Sequence, residues 1–575
     1  MPEGGRDCLD GGGNKEQAYL KPALGKATRE TLTAGPVSDF WRFDITAAPG
    51  NSWDVQLAVP VTGDIAKGDR CLLIFYCRAV EGRDADGLAY GMASVEDRSA
   101  GFHKIGQTDF KAGTKWEPVL LPFEADAALT QGQGSVSIHL GREIQCLDIG
   151  GVRLFNYGAD YDLARLPHPA LSYDGREPDA PWRAAALQRI SATREGPLNL
   201  EVVDAQGKPV SGAGIHAVLK RHAFGFGSAV TAQWLCAEGA DGDKYRKIVD
   251  ECFSRVVFEN DLKLFAWDLY KSPEQSGSFR KAWLEQSLAW LGGRHFTVRG
   301  HYLCWAPFEP WSEKLRATPE VIREKVFEHM DGMLPEIGSR VTEWDAVNHP
   351  AGWEPGICLD SVLGAGFYTE VFQRARKQSS LPLWINEDQV FRPGRQQEEY
   401  YRIIQKLLAD GVKIDGIGNQ AHFHASFLPS PTEILKTSDR FAALVPALQL
   451  TEYDVSTNGD EALAADYTRD MLITCFSHPA YTGVVMWGFW EGSHWKPGTA
   501  LWRQDWSEKP AARIWREWVC GKWRTDVMLK TSALGTAASR GFYGLYEITV
   551  TRDGTTTSHE VRHEKGAERV VVRLK

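Results

Sequence analysis

Carboxylate, imidazole and amide side chains recur at the ends of short apolar segments between residues 223 and 522. The carboxylates Glu452 and Asp454 end one such segment, and Asn348 and His349 end another. A carboxylate can attack an electrophilic carbon, an imidazole can donate or accept a proton, and an amide can hydrogen-bond a polar ligand. These residue types therefore predict a site of nucleophilic and acid–base chemistry, provided that the fold brings the segment ends together.

The segments that carry these side chains have the length and composition of buried strands, and amphipathic helical stretches separate them. Eight strands in about 300 residues predict a (β/α)8 TIM barrel over 223–522, with its active site at the carboxyl ends of the strands. The predicted strands are 224–230, 255–260, 296–305, 341–349, 381–387, 414–422, 448–455 and 483–490.

Regions that differ from the barrel in composition and in hydrophobic pattern flank it, so a multidomain chain is expected. Residues 1–36 are polar and Gly-rich and are predicted to be a leader, whereas 37–158 has the short alternating strands of a β-jelly-roll or sandwich. A Pro- and charge-rich linker is predicted at 159–195. Small Ig-like strands at 196–222 and a C-terminal β domain at 523–575, which has an Asp-Gly hairpin turn, complete the chain. The strands over 198–220 and this C-terminal segment are expected to pack together beside the barrel.

The overall composition narrows the classes of partner. Hydrophobic residues make up 43% of the 575 residues and charged residues 24%, as in folded proteins with large cores. A net charge of −10 argues against nucleic acid or an anionic membrane as a partner, and no apolar run is long enough to span a bilayer. The 21 tryptophans mildly favour a carbohydrate ligand, because sugar rings stack their C–H faces on indoles.

Neither a cofactor nor a metal ion is expected, because the ten cysteines and the histidines show no zinc-ligand spacing. The N-terminus has neither the basic segment nor the apolar segment of a signal peptide. The compartment therefore stays open: secreted or periplasmic if a signal peptide has been removed, and cytoplasmic otherwise. The oligomeric state is not indicated.

Several short motifs follow one another along the predicted barrel. They are Glu259-Asn260-Asp261-Leu262-Lys263, Arg299-Gly300-His301 followed by Trp305, Gly418-x-Gln420-x-His422, Thr451-Glu452-x-Asp454, and Trp487-Gly488 followed by Trp495. In this order they resemble glycoside hydrolase family 10, the xylanase-like TIM barrels, over about half of the chain. Residues 37–158 resemble the carbohydrate-binding modules of families 4, 9 and 22.

The resemblance implies a role for each motif residue. Glu452 is implied to be the nucleophile, with His422 and Asp454 as the pair that holds it ionised. The implied sugar-binding residues are Glu259, Asn260, Lys263, His301, Asn348, Gln420, His422 and the tryptophans Trp305, Trp487 and Trp495. Retaining hydrolysis also needs a carboxylic acid about 5–5.5 Å from the nucleophile, to protonate the leaving oxygen.

At this acid/base position the sequence departs from the family pattern. The family motif W-D-x-x-N-E occurs here over 344–349, with His349 in place of the glutamate. Three interpretations stay open. His349 is itself the acid/base, or a nearby carboxylate has taken over, for which Glu387 is the first candidate and Glu491 and Glu309 are weaker ones. In the third, the barrel has lost general acid catalysis and either hydrolyses only substrates with good leaving groups or only binds glycan.

The leading hypothesis is a retaining glycoside hydrolase, endo-1,4-beta-xylanase-like, that acts on a β-linked xylan-like polysaccharide or oligosaccharide. Glu452 is its nucleophile, and His349 or Glu387 is its atypical acid/base. One alternative is a non-hydrolytic glycan-binding protein on a decayed family 10 barrel. The other is the same barrel with altered aglycone specificity, because 351–364 and 391–397 differ from the family and should line the leaving-group side.

Overall fold

The structure is a computed structural model that describes residues 2–9, 15–80, 88–169, 171–271, 277, 279–305, 318–352, 358–567 and 569–574. The described chain divides into two compact units. The first comprises Met1–Ser172 with Arg392–Glu398 and Ala425–Leu428, and the second comprises Tyr173–Phe391, Glu399–His424 and Pro429–Lys575.

The first unit is a β-sandwich. Its strands are β1 Arg6–Asp7, β2 Gln17–Leu20, β3 Gly25–Thr31, β4 Asp39–Ile45, β5 Val55–Pro60, β6 Arg70–Ala79, β7 Ala89–Asp97, β8 His103–Ala112, β9 Glu117–Glu124, β10 Gly134–His139 and β11 Cys146–Asn156. Among the described residues they form two antiparallel sheets, ordered β3-β4-β11-β6-β9 with β1 beside β11, and β2-β5-β10-β7-β8. Alternate side chains of both sheets form one apolar core.

Strands β2 and β3 correct the prediction of a leader over 1–36. β2 pairs with β5 and β3 pairs with β4, so both belong to the sandwich. The physical reason is an alternation of small apolar and polar residues: Ala18, Leu20 and Ala27 pack against the sandwich core, while their neighbours point outwards. The Gly-rich composition of this stretch conceals that alternation.

The second unit contains the remaining strands. They are β12 Glu195–Val203, β13 Gly214–His222, β14 Gly225–Val230, β15 Arg255–Phe258, β16 Thr297–Gly300, β17 Cys304–Trp305, β18 Glu343–Asn348, β19 Leu383–Glu387, β20 Gly416–Asn419, β21 His422–His424, β22 Leu448–Ser456, β23 Tyr481–Met486, β24 Asp526–Lys530, β25 Thr536–Phe542, β26 Gly544–Arg552, β27 Thr555–His563 and β28 Val570–Arg573.

Within the described part of the chain, eight parallel strands close into a ring. Their order is β14-β15-β16-β18-β19-β20-β22-β23, and β23 pairs back to β14. Strand residues are buried throughout, as expected when a packed interior covers one face and helices cover the other. This confirms the predicted TIM barrel, and each ring strand overlaps one of the eight predicted segments.

Helices follow most ring strands and cover the barrel. They are α1 Pro181–Thr193, α2 Ala232–Cys236, α3 Gly239–Cys252, α4 Leu264–Tyr270, α5 Lys281–Gly292, α6 Pro319–Ile337, α7 Leu359–Leu363, α8 Phe367–Gln378, α9 Arg395–Ala409, α10 Pro431–Ala442, α11 Glu461–Ser477 and α12 Pro510–Trp515, with a π-helix at Arg516–Lys522. A helix long and apolar enough to cross a bilayer is not found among the described residues.

A second, smaller β-sandwich is built from both ends of the barrel sequence. β12 pairs with β25 and β28, and β13 pairs with β24 and β26. Leu198, Leu200, Tyr546 and Val572 belong to its shared apolar core. The sequence predicts that the strands over 198–220 and the C-terminal β segment pack together beside the barrel. The structure joins them in one sandwich, because neither segment can bury its apolar face alone.

The predicted linker over 159–195 ends in an ordered helix, α1. Ahead of this helix, the Tyr173 hydroxyl donates to Asp470 Oδ2 at 2.7 Å. Within the helix, Arg183 Nη2 donates to the same oxygen at 2.8 Å. Since Asp470 lies on α11, these bonds dock the end of the linker against the barrel.

Candidate active site

The polar side chains identified in the sequence lie where ring strands end. β18 ends at Asn348, β19 ends at Glu387, and Glu452 lies midway along β22, just beyond the last residue of β22 that pairs with ring strand β20. The register of β18 and β19 sets Asn348 beside Asn386. This is the end of the barrel at which active sites of the fold lie.

Glu452 is a carboxylate that is only 5% exposed. Its Oε1 accepts a hydrogen bond from Asn386 Nδ2 at 2.8 Å, and its Oε2 lies 3.3 Å from His422 Nε2. Burial raises the pKa of Glu452, but the His422 hydrogen bond and the charges of His301 and His422 outweigh burial and lower its pKa to about 2. Glu452 is therefore ionised over the ordinary pH range.

His422 lies between two carboxylates. Its Nδ1 is 2.8 Å from Asp454 Oδ2, and its Nε2 faces Glu452. Burial lowers the pKa of His422, yet Asp454 and Glu452 together raise it to about 10. Trp495 Nε1 donates to the same Asp454 oxygen at 2.9 Å. His422 is consequently an imidazolium whose two N–H groups each donate to a carboxylate.

A cluster of amides joins Glu452 to the neighbouring strands. Asn386 Nδ2 also donates to Asn348 Oδ1 at 2.9 Å, and Asn386 Oδ1 accepts from Thr451 Oγ1 at 2.6 Å. Gln420 Nε2 donates to the same Asn348 oxygen at 3.1 Å. Because both bonds fall on Asn348 Oδ1, the amide nitrogen is the group that Asn348 can offer to a ligand beside Glu452.

His349 follows β18 with a left-handed backbone, φ 50°. Its Nδ1 lies 3.1 Å from Glu387 Oε1 and its Nε2 lies 3.0 Å from Gln420 Nε2. The Gln420 amide donates, so His349 Nε2 accepts and the ring proton faces Glu387. The ring also stacks on Trp305, with 5.9 Å between centroids. A positive φ costs a non-glycine residue about 1–3 kcal/mol, so these contacts must hold His349 in place.

Glu387 has no exposed surface. Its Oε2 accepts from the backbone N–H of Ala351 at 2.7 Å, and its Oε1 accepts from the N–H of Asp388 at 2.8 Å as well as from His349 Nδ1. The Glu387 carboxylate thus binds Nδ1 of His349, the ring nitrogen on the side away from Gln420. Its surroundings suit a group that orients His349.

Aromatic and cationic side chains gather beside Glu452. Lys263 Nζ lies 5.4 Å from the ring centre of Trp305 and 5.8 Å from that of Trp487. Trp487 meets His301 edge-on at 5.1 Å, and Trp495 meets His422 at 4.8 Å. The structure therefore gathers the three predicted tryptophans around this site, where flat apolar faces could stack a sugar ring.

Glu259 and Asn260 follow strand β15 at the same end of the barrel. Burial raises the pKa of Glu259, the nearby Lys263 and a hydrogen bond from Asn260 lower it, and the charge of Glu452 raises it again. The net direction is upward. Glu259 is thus within electrostatic reach of Glu452, and it combines with Lys263 to offer both an acceptor and a donor.

Two site residues were not among the sequence candidates. Asp345 Oδ2 lies 2.9 Å from His301 Nδ1 and accepts from Arg299 Nε at 3.0 Å, which fixes the His301 ring. Asn386 contacts the Glu452 carboxylate directly. Asp345 lies inside the motif over 344–349, Asn386 directly precedes Glu387, and both residues lie on predicted strands. That adjacency was the available signal.

The two weaker acid candidates from the sequence have different outcomes. Glu491 Oε1 is 2.6 Å from Lys509 Nζ, and its Oε2 accepts from the N–H of Gln504 at 3.0 Å. Glu309 lies outside the described residues. Among the residues that the structure covers, no group of three His, Cys, Asp or Glu side chains is placed to hold a metal ion.

Comparison with known families assigns the barrel. Residues 214–517, more than half of the chain, match the family model described as Glycosyl hydrolase family 10. The chain belongs to glycosyl hydrolase family 10. The family resemblance drawn from the barrel motifs is thereby confirmed.

Curated family 10 relatives include proteins of two kinds. The anti-sigma-I factor RsgI6 of Acetivibrio thermocellus is 30% identical over 379 residues, which are 65% of this chain and 47% of that protein. Endo-1,4-beta-xylanase 3 of Arabidopsis thaliana is 24% identical over 341 residues, which are 58% of this chain and 43% of that protein. The chain thus spans less than half of the length of either relative.

Solved xylanase structures align with the barrel part of the chain. Xylanase 10B from Thermotoga petrophila RKU-1, in complex with xylobiose, has 23% sequence identity and a TM-score of 0.45, covering 52% of this chain and 94% of that chain. Native xylanase 10B from Thermotoga maritima has 24% sequence identity and a TM-score of 0.45, and the match covers 52% of this chain and 95% of that chain.

In this family 10 barrel, exchange of His422 for glutamine should move the acidic limb of the pH–rate profile. Glutamine keeps an N–H donor near Glu452 but removes the positive charge, so burial raises the pKa of Glu452 from about 2 towards or above its ordinary 4.5. If Glu452 is the nucleophile that the family resemblance implies, it must be ionised to attack, and kcat/KM for an aryl β-xyloside should then fall at about pH 4–5 and recover at higher pH. Wild-type protein should keep its activity there.

Trp495→Phe is the matched control for this measurement. It removes a neutral donor to Asp454 and no charge, so the acidic limb should move less than in His422→Gln. An acidic limb that is the same in wild type and His422→Gln would contradict the role given to the imidazolium.

Proposed function

We propose that the barrel is a retaining β-glycosidase that acts on xylan-like polysaccharides or oligosaccharides. The observation that carries this proposal is the ionised, buried Glu452 carboxylate, held by His422 and Asn386 at the carboxyl end of the barrel. Asn348, beside it, offers an amide nitrogen for a sugar hydroxyl. The names of the xylanase relatives favour a β-1,4-linked xylose backbone as the substrate.

In the first chemical step, a Glu452 oxygen bonds to the anomeric carbon while the bond from that carbon to the leaving oxygen breaks. His349, as an imidazolium, passes its Nε2 proton to the leaving oxygen. In the second step, neutral His349 takes a proton from water, the water oxygen bonds to the anomeric carbon, and Glu452 leaves. Two displacements at the same carbon retain its configuration.

We assign Glu387 the task of orienting His349. The carboxylate accepts the Nδ1 proton, which fixes the ring and favours the imidazolium that the first step requires. This interpretation replaces the idea of a relocated acid, because the other Glu387 bonds come from the backbone of Ala351 and Asp388. In this pair, Nε2 of His349 faces the substrate, and Glu387 binds Nδ1 on the other side of the ring.

The resting arrangement matches the second step better than the first. Gln420 donates to His349 Nε2, so the ring is neutral and ready to accept a proton from water. The first step needs Nε2 to carry a proton, and then the Gln420 amide must turn its oxygen towards the ring. We therefore expect the first step, which requires proton donation, rather than the second to limit turnover of unactivated oligosaccharides.

Incubation of the wild-type protein with xylohexaose tests this function, with products followed by chromatography and by proton NMR. We expect shorter xylo-oligosaccharides whose new reducing ends are first seen as the β-anomer, before mutarotation. Appearance of the α-anomer first would exclude retention.

A second candidate function is glycan binding without hydrolysis. It is favoured by His349, which replaces a carboxylic acid and whose Nε2 is already hydrogen-bonded to Gln420. A relative named an anti-sigma factor fits this candidate. Calorimetric binding of xylohexaose by a protein that neither cleaves it nor releases phenol from activated aryl xylosides would favour binding over catalysis. Cleavage of activated xylosides alone would indicate a barrel without general acid catalysis.

A further inference from the structure

A cavity of about 430 Å³ lies at the end of the barrel opposite to Glu452. Its walls come from the starts of β14, β15 and β23, from the end of α1, and from the small sandwich at β26 and after β27. We call it the basal cavity. A volume of this size lies within the range of small-molecule sites.

Cations predominate in the lining of the basal cavity. The side chains of Arg194, Arg255, Arg562 and Lys565 line it, against the single carboxylate of Glu564. Such an excess of positive charge in a concave surface attracts anions and concentrates them locally.

Arg194 is a half-buried guanidinium that lies over the rings of Phe224 and Phe476, and its described hydrogen-bond acceptors are all carbonyls. Its Nε donates to the carbonyl of Phe476 at 2.7 Å, and its Nη2 donates to those of His478 and Tyr481 at 2.6 and 2.9 Å. Burial lowers the pKa of Arg194 to about 10. These bonds cap the end of α11, but no described residue accepts from Nη1, which is left for a ligand.

Arg255 and His222 also line the cavity, but one N–H group of each is fully buried and has no hydrogen-bond acceptor among the described residues. Arg255 is 8% exposed, and its Nη1 lies 3.3 Å from Glu343 Oε1 without forming a hydrogen bond. His222 Nδ1 accepts from the N–H of Phe224 at 3.0 Å, so the ring proton sits on the buried, unpartnered Nε2. The ion pair with Glu343 balances the charge of Arg255, so the positive charge of the cavity comes mainly from Arg194, Arg562 and Lys565.

We propose that the basal cavity binds a small oxyanion: phosphate, sulfate or the carboxylate of an acidic sugar. Each of these presents several acceptor oxygens, to which Arg194 Nη1 and the exposed side chains of Arg562 and Lys565 can donate. The guanidinium groups match an oxyanion because their N–H donors lie in a fixed plane. Tyr543, from the sandwich, would close the site on the side away from the barrel.

Thermal unfolding in inorganic phosphate tests this site, with chloride at equal ionic strength as the baseline. We expect phosphate to raise Tm saturably, by about 2 °C or more at saturation, because a ligand that binds only the folded state stabilises it. Sodium sulfate and sodium glucuronate are the other arms. A response to phosphate and sulfate alone identifies an inorganic oxyanion, and a stronger response to glucuronate identifies an acidic sugar.

The double variant Arg562→Gln/Lys565→Gln should need several-fold more of the active anion for the same rise in Tm. Its matched control is Lys208→Gln/Lys530→Gln, which removes two exposed charges from the same sandwich outside the cavity. Arg194→Lys keeps the charge but loses the planar donors, and it should bind more weakly still. Equal Tm in phosphate, sulfate, glucuronate and chloride, or equal weakening in the control, would overturn the proposal.

Discussion

Replacing Glu452 with alanine should lower kcat for xylo-oligosaccharides by roughly 10⁴-fold or more. The variant lacks the only group that we place to attack the anomeric carbon, while His422 and Asn386 lose the carboxylate that they bind. The measurement is the initial rate of reducing-end release from xylohexaose. Circular dichroism of both proteins establishes that the variant is folded.

Adding sodium azide to the Glu452→Ala variant tests the role of Glu452 as nucleophile more directly. Azide can enter the space left by the Glu452 side chain and attack the anomeric carbon of an activated aryl β-xyloside. The expected product is the α-xylosyl azide, formed by a single displacement with inversion. Glu491→Ala is the control, because it removes a carboxylate bound to Lys509 and should leave turnover near that of wild type. If Glu452→Ala keeps more than about a tenth of wild-type activity, Glu452 is not the nucleophile.

Replacing His349 with alanine should separate the two chemical steps. On xylohexaose, the loss of the proton donor should lower kcat by about 10²–10⁴-fold. On a dinitrophenyl β-xyloside, whose leaving group needs no proton, the first step should stay fast while water activation is slow. A burst of dinitrophenol followed by a slow steady state, recorded by stopped-flow absorbance, is the expected result.

Glu387→Gln distinguishes an orienting residue from a relocated acid. If Glu387 orients His349, the glutamine variant should lose less activity on xylohexaose than His349→Ala, because the imidazole is still present. The loss of activity in Glu387→Gln should also differ less between activated and unactivated substrates than the loss in His349→Ala does. The reverse order, with Glu387→Gln the more impaired and His349→Ala near wild type, would make Glu387 the proton donor.

The barrel was predictable from sequence because its strands are buried on both faces and therefore form nearly continuous apolar runs. Glu452 and its partner His422 could be named because they stand in short motifs with fixed spacing. The pairing of His349 with Glu387 was not predictable as a hydrogen bond. It depends on the register of β18 against β19 and on the left-handed backbone at His349, and neither leaves a pattern in the sequence.

The flanking regions were predicted less well, for a different reason. Residues 17–31 were predicted as part of a leader because glycine and polar residues hide the period-two alternation of β2 and β3. The role of Asn386 was missed since a single amide next to a more conspicuous glutamate gives no signal of its own. The packing of the 198–220 strands against the C-terminal segment was predicted, but individual residue pairs such as Leu198 and Tyr546 could be assigned only from the fold.

The small sandwich also constrains how the chain can fold during synthesis. Strands β12 and β13 emerge from the ribosome before the barrel, yet their partners β24–β28 are made only after it. At about 5–20 residues per second, the roughly 300 intervening residues keep the apolar faces of β12 and β13 uncovered for about 15–60 seconds. The nascent chain therefore passes through a period in which it depends on chaperone cover, and release of an incomplete chain would leave those strand edges open to aggregation.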